Sequence, residues 1–138
     1  MNNFAKKTFD LEQTRIELTS KPWLVACLCA EWCETCQTYR QAFHELSKLH
    51  TDKCFTWIDI EDQSELVEKI DIENFPTILI QFNDKILFLG TVLPDTQQIH
   101  RMLQSLENSL DSNNEPLTLL SKEQLPTDYW SLRQQLLN

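Results

Sequence analysis

The seven residues Trp23–Cys29, Trp-Leu-Val-Ala-Cys-Leu-Cys, carry no charge and no amide or hydroxyl side chain. A run of that length, rich in Val, Leu and Trp, reads as a strand that is apolar on both faces, as in a parallel sheet. Directly after it the period changes. Cys36, Tyr39, Phe43, Leu46 and Leu49 recur three and four residues apart, which predicts an amphipathic helix over 34–49. A strand buried on both faces needs a covering layer on each side, so this pair of segments points to an α/β sheet sandwiched by helices.

The rest of the chain fits that frame. Thr8 or Asp10 can cap a short helix bearing Leu11, Ile16 and Leu18, and Lys21-Pro22 stops it. A second strand is expected over 54–60, a short helix over 62–70 and a third strand over 77–82. Asn83-Asp84-Lys85 then reverses the chain into a fourth strand over 86–89. Strands separated by helices imply parallel crossovers, and the hairpin adds an antiparallel edge. Asp95, with Gln98 three residues on, caps a helix over 96–110 carrying Ile99, Met102, Leu103, Leu106 and Leu110. The polar breakers of 111–116 follow. Residues 1–110 therefore read as one domain, and 111–138 as a linker and last helix packed on it. Thr127-Asp128 would cap that helix, with Tyr129, Leu132 and Leu136 on one face and Trp130, Arg133 and Leu137 on the next.

Composition narrows the function. The 138 residues are 41% hydrophobic and 24% charged, as in a single globular domain with a short appendage. A formal charge of −9 is a poor match for phosphate backbones, which argues against nucleic acid as a partner. Gly90 is the one glycine, so neither a dinucleotide fingerprint nor a P-loop can be present. No apolar run approaches the roughly 20 residues of a membrane span, and no apolar stretch follows the first charged residues as in a signal peptide. No membrane is expected as a partner, and the cytoplasm is the expected compartment.

Five cysteines remain: Cys27, Cys29, Cys33, Cys36 and Cys54. An odd number in a reducing compartment argues against a disulfide framework. A zinc site needs four ligands, usually two pairs. Cys33-x-x-Cys36 is only half of one, and His44, His50 and His100 supply no matching motif, so no metal is expected. Placement is the stronger signal. Cys33 falls where the first strand ends and a helix begins, so unpaired backbone N–H groups favour a thiolate there. Cys36, one turn later, can reach Cys33 and resolve a mixed disulfide. Trp32 offers a flat apolar ledge to a substrate chain. Pro76, in Asn74-Phe75-Pro76-Thr77, opens the third strand, a natural place for a cis X–Pro bond that leaves the backbone before it free to pair with an extended substrate. Cys27, Cys29 and Cys54 read as buried thiols. A sharper reading puts Cys27 beneath Cys36, where the two could trade disulfides. Asp59, Glu61 and Asp62 follow the second strand and read as a solvated acidic loop near the site.

Together these pieces resemble the thioredoxin family. Ala30-Glu31-Trp32-Cys33-x-x-Cys36 is similar to its active-site motif, Phe75-Pro76-Thr77 to its cis-proline loop, and Gly90 to the glycine bordering its substrate groove. The resemblance implies a thioredoxin-like fold, a central mixed sheet flanked by helices, here with a C-terminal helical extension. It implies a thiol–disulfide oxidoreductase in which Cys33 attacks a protein disulfide and Cys36 releases the product. Trp32, Phe75, Pro76, Thr77 and Gly90 would hold the substrate. The one redox group would be a Cys33–Cys36 disulfide, with no cofactor, and a thioredoxin-reductase-type protein would be the electron donor. The departures concern charge. Glu34-Thr35 replaces the usual Gly-Pro, and Glu31 and Glu34 oppose a thiolate at Cys33. Cys27 and Trp57 stand where the family usually places a buried Asp–Lys pair, so all four residues are candidates for tuning the thiols. Gln37 and Gln41 replace a common lysine and proline. These changes leave open a second reading, a redox-inert binding module on the same fold.

Overall fold

The computed structural model describes residues 10–92, 95–112 and 130–138. Asp10 takes an extended backbone and its carboxylate accepts from the Glu12 N–H, which starts helix α1 (Leu11–Leu18). Thr8 lies outside the described residues. Strand β1 (Trp23–Cys29) is buried along its whole length. Its side chains alternate. Trp23, Val25, Cys27 and Cys29 enter one core with Tyr39, Phe43 and Leu46 of α2 (Glu34–Ser47) and with Ile99, Leu103 and Leu106 of α3 (Thr96–Ser112). Leu24, Ala26 and Leu28 enter a second core with Leu18 of α1 and with Leu132 and Leu136 of α4 (Leu132–Leu137). The continuous apolar run thus serves two layers at once.

The sheet order is β2-β1-β3-β4. β2 (Lys53–Asp59) runs parallel to β1, from Trp23 opposite Lys53 to Cys29 opposite Asp59. β3 (Thr77–Phe82) is antiparallel to β1, and β4 (Lys85–Thr91) is antiparallel to β3 across a turn in which Asn83 has φ 50°. The mixed sheet agrees with the sequence reading, but the expected parallel crossover into the third strand is corrected. The helix expected over 62–70 is only a 3₁₀ turn, Ser64–Leu66. Leu66 and Val67 are the buried side chains of that stretch, too few to repay helix nucleation.

Two helix ends are also corrected. α2 stops at Ser47, where Lys48, Leu49 and His50 bond three residues back to Glu45, Leu46 and Ser47, so Leu49 leaves the apolar stripe and is 69% exposed. The last helix begins at Leu132. Ser131 caps it by accepting from the Gln134 N–H, which leaves the buried Trp130 ahead of the helix. Thr127, Asp128 and Tyr129 lie outside the described residues. α4 is tied to the other end of the chain: Arg133 donates to the carbonyls of Leu18 (2.7 Å) and Lys21 (3.0 Å), and Arg15 donates to that of Leu136 (2.7 Å).

Candidate active site

The site forms where β1 runs into α2. Cys33 is the N-cap of α2, with an extended backbone (φ −81°, ψ 120°) and no side-chain cap bond, so its sulfur sits at the open N-terminus of a 14-residue helix. The loop before it is latched. The Cys33 N–H donates to Ala30 O (3.0 Å), and Gln37 Nε2 reaches back to Glu31 O (2.8 Å). Asp59, at the end of the neighbouring parallel strand, accepts from the Glu31 N–H (2.9 Å) with one oxygen and from the N–H groups of Glu61 and Asp62 with the other. The acidic loop read as merely solvated is therefore a clamp. Because β1 and β2 are parallel and in register, Asp59 faces Cys29 and can hold the loop that follows it.

Trp32 is 64% exposed, and its position is still fixed. Its indole N–H donates to Glu61 Oε2 (2.9 Å), and its ring meets that of Phe75 edge-on at 5.6 Å. The Phe75–Pro76 bond is cis. Thr77 Oγ1 donates to Asn74 O (2.6 Å), and the Val92 N–H donates to Pro76 O (3.1 Å). Gly90 lies opposite Ile78 in the adjoining strand. Of the residues expected to line a substrate groove, Trp32 touches Phe75, Pro76 and Thr77 are buried at the start of β3, and Gly90 lies near the end of β4 opposite Ile78.

The cysteines differ from the expectation. Cys33–Cys36 is not the bonded pair in this structure. Cys36 is joined to Cys29, with Cα atoms 5.9 Å apart, and Cys33 is a free, half-buried thiol. The reason lies in the faces. Cys29, the last residue of β1, points to the α2 side of the sheet, and Cys36 in the first turn of α2 points inward, only 1% exposed. The strand end and the helix start therefore bring these two sulfurs together beneath the loop. The sequence reading had given the part of Cys36's buried partner to Cys27. Cys27 is instead a free thiol whose sulfur lies 3.6 Å from that of Cys29. A bridged Cys29 has no proton, so Cys27 is the donor. Burial holds the Cys27 thiol well above its ordinary range, only partly offset by the nearby Arg40 cation. Trp57 is its register partner on β2 and shares its core, and the Arg40 guanidinium sits 4.8 Å above the Trp57 ring. Glu31 and Glu34 are both exposed beside Cys33. The signal for Cys29 was available in the alternation of β1, which puts it on the same face as Cys27 and nearer the helix start.

A mixed sheet with a half-exposed cysteine at a strand-to-helix turn, beside a cis-proline strand start, defines an α/β protein carrying a thiol–disulfide centre. The family model described as Thioredoxin matches residues 2–105, and the chain belongs to the thioredoxin family. Over 56 residues it is 36% identical to Thioredoxin domain-containing protein 2 of Rattus norvegicus, a match covering 41% of this chain and 10% of that one. The chain thus spans about a tenth of the length of that relative. Oxidised mitochondrial thioredoxin 3 of Saccharomyces cerevisiae superposes with a TM-score of 0.61 at 14% identity, over 74% of this chain and 99% of that one. A chain from a complex of ferredoxin:thioredoxin reductase with thioredoxin f2 gives 0.59 at 19% identity, over 68% and 86%. No described helix is long and apolar enough to cross a membrane.

Proposed function

We propose that this protein is a thiol–disulfide oxidoreductase that exchanges a Cys33–Cys36 dithiol with protein disulfides. Family membership supports thiol–disulfide chemistry in general. One observation carries the finer reading: of the five cysteines, Cys33 alone is not buried, and it sits at the N-terminus of α2 beside the Trp32–Phe75 ledge. As a thiolate, Cys33 attacks one sulfur of the target disulfide and expels the other as a thiolate. Cys36, as a thiol, then gives up its proton and attacks Cys33. The second target thiolate leaves, and two electrons have passed from the protein to the target. No cofactor beyond the cysteines is required. Trp32, Phe75, Pro76, Thr77 and Gly90 line the path of the extended target chain, and residues 1–110 form the redox domain.

The electron donor in this reading is a thioredoxin-reductase-type protein, and the compartment is the cytoplasm. A structural neighbour taken from a complex with ferredoxin:thioredoxin reductase supports such a donor.

Reduction of insulin by dithiothreitol, with and without the protein, tests the reading. Wild type accelerates it, Cys33→Ser does not, and Cys36→Ser accumulates a mixed disulfide at Cys33. Full activity in Cys33→Ser sinks the assignment. If wild type gives no acceleration and no Cys33 adduct forms, the binding module takes its place.

A further inference from the structure

Exchange at Cys33 and Cys36 gives Cys29 no part, yet Cys29 holds the disulfide. With Cys36 bonded to Cys29, a mixed disulfide at Cys33 has no thiol to resolve it. Cys33 itself packs against the cluster that contains both bridged cysteines. Three cysteines are linked in sequence, Cys36 bonded to Cys29 and the free Cys27 sulfur 3.6 Å beyond it, and the free Cys33, one helical turn before Cys36, packs against the same cluster.

We propose that Cys29 is a third redox cysteine, and that in the oxidised protein Cys36 exchanges between Cys29, in a latent form, and Cys33, in the form that an incoming thiolate of the electron donor can reduce. This rests on Cys33 and Cys36 being the exchanging pair. The step balances within the chain. The Cys33 thiolate attacks Cys36 Sγ, the Cys36–Cys29 bond breaks, the Cys33–Cys36 bond forms, and Cys29 leaves as a thiolate. The proton lost by Cys33 is the one Cys29 gains. One disulfide exists before and after, so no oxidant or reductant is consumed. Cys27 makes the buried leaving group tolerable, because its sulfur lies 3.6 Å from Cys29 Sγ and its S–H can donate as charge develops there. Cys29 and Cys36 are both shut from solvent. The latent form therefore shields its disulfide from outside thiols and leaves Cys33 as the one point of entry.

Differential alkylation of oxidised protein, followed by mass mapping, tests this. Oxidised wild type should yield a Cys29–Cys36 linked peptide and alkylate at Cys33. Oxidised Cys29→Ala loses the latent pairing and should be mapped as Cys33–Cys36, so Cys33 should alkylate about tenfold more slowly than in wild type. Cys54→Ala keeps both pairings and controls for loss of a buried thiol in the other core, and Cys29→Val repeats the test with a larger filler if Cys29→Ala folds poorly. A Cys33–Cys36 linkage as the sole bridge in wild type, with insulin reduction intact, overturns the exchange and leaves the oxidoreductase standing. Failure to form Cys33–Cys36 even in folded Cys29→Ala or Cys29→Val overturns both.

Discussion

Gln81 and Ser131, fifty residues apart, share a 2.6 Å hydrogen bond in the protein interior. The same Gln81 amide donates to Asn83 O and accepts from the Arg133 N–H, so one buried side chain of β3 joins the hairpin turn to the start of α4. Gln81→Leu removes all three bonds and strands the Arg133 N–H. Loss of about 1–3 kcal/mol is expected, read as a lower urea midpoint at unchanged slope.

Lys53 provides a second check on buried polarity. Its side chain is fully buried over the Trp23 ring, and its ammonium pairs with Asp52 and with Glu107. Glu107→Gln leaves a buried cation with one largely exposed partner and should cost about 3 kcal/mol. Lys53→Met releases two carboxylates that water can reach and should cost clearly less. Equal losses in chemical unfolding would contradict the ion-pair account.

His50 and His100 share a 2.9 Å ring-to-ring hydrogen bond, and His50 stacks on Phe55. Burial, the Lys53 cation and His100 together lower the His50 pKa, against smaller opposing effects of Glu107 and Asp52. The unfolded chain therefore binds the proton more readily than the folded one. Stability from this group is complete above the ordinary histidine value of about 6.5 and declines as pH falls from there through the folded value. Unfolding free energies of wild type and His50→Gln, compared at stepped pH between neutrality and pH 5, should converge as pH falls. Parallel curves would remove His50 from the account.

Trp32 should matter to targets more than to folding. It is exposed, and the Glu61 and Phe75 contacts only set its angle. Trp32→Ala should lower kcat/KM for a protein disulfide about tenfold, the equivalent of ~1.4 kcal/mol, with unfolding almost unchanged. A matching loss of stability would make the residue structural instead.

Cys54 should be silent in the native state. Burial first, and Glu17 second, push its thiol up to about 12. At pH 8 only about one molecule in ten thousand then carries the thiolate. Iodoacetamide should label Cys54 only after denaturation.

The strand run Trp23–Cys29 and the stripe Cys36, Tyr39, Phe43, Leu46 were readable because their periods are local and their burial follows directly from them. Local signals also gave two positions seen in the structure: Cys33 at the start of α2 and a cis bond before Pro76 at the start of β3. What escaped depends on register and on contacts between distant segments. Asp59 clamps Glu31 only because β2 lies in register beside β1. His50 meets His100 across two helix ends that no short motif links. The choice of Cys29 over Cys33 as the partner of Cys36 is a different case: the alternation of β1 put Cys29 on the helix-facing side, but a C-x-x-C pattern draws attention to Cys33 instead.

The ties from Arg133 to Leu18 and Lys21, and from Arg15 to Leu136, place the last residues of this chain on the sheet face opposite the cysteine core. Asn138 is exposed there. A linker or surface tether attached at that residue would hold the protein by its back, and Cys33 would stay free to meet large targets from solution.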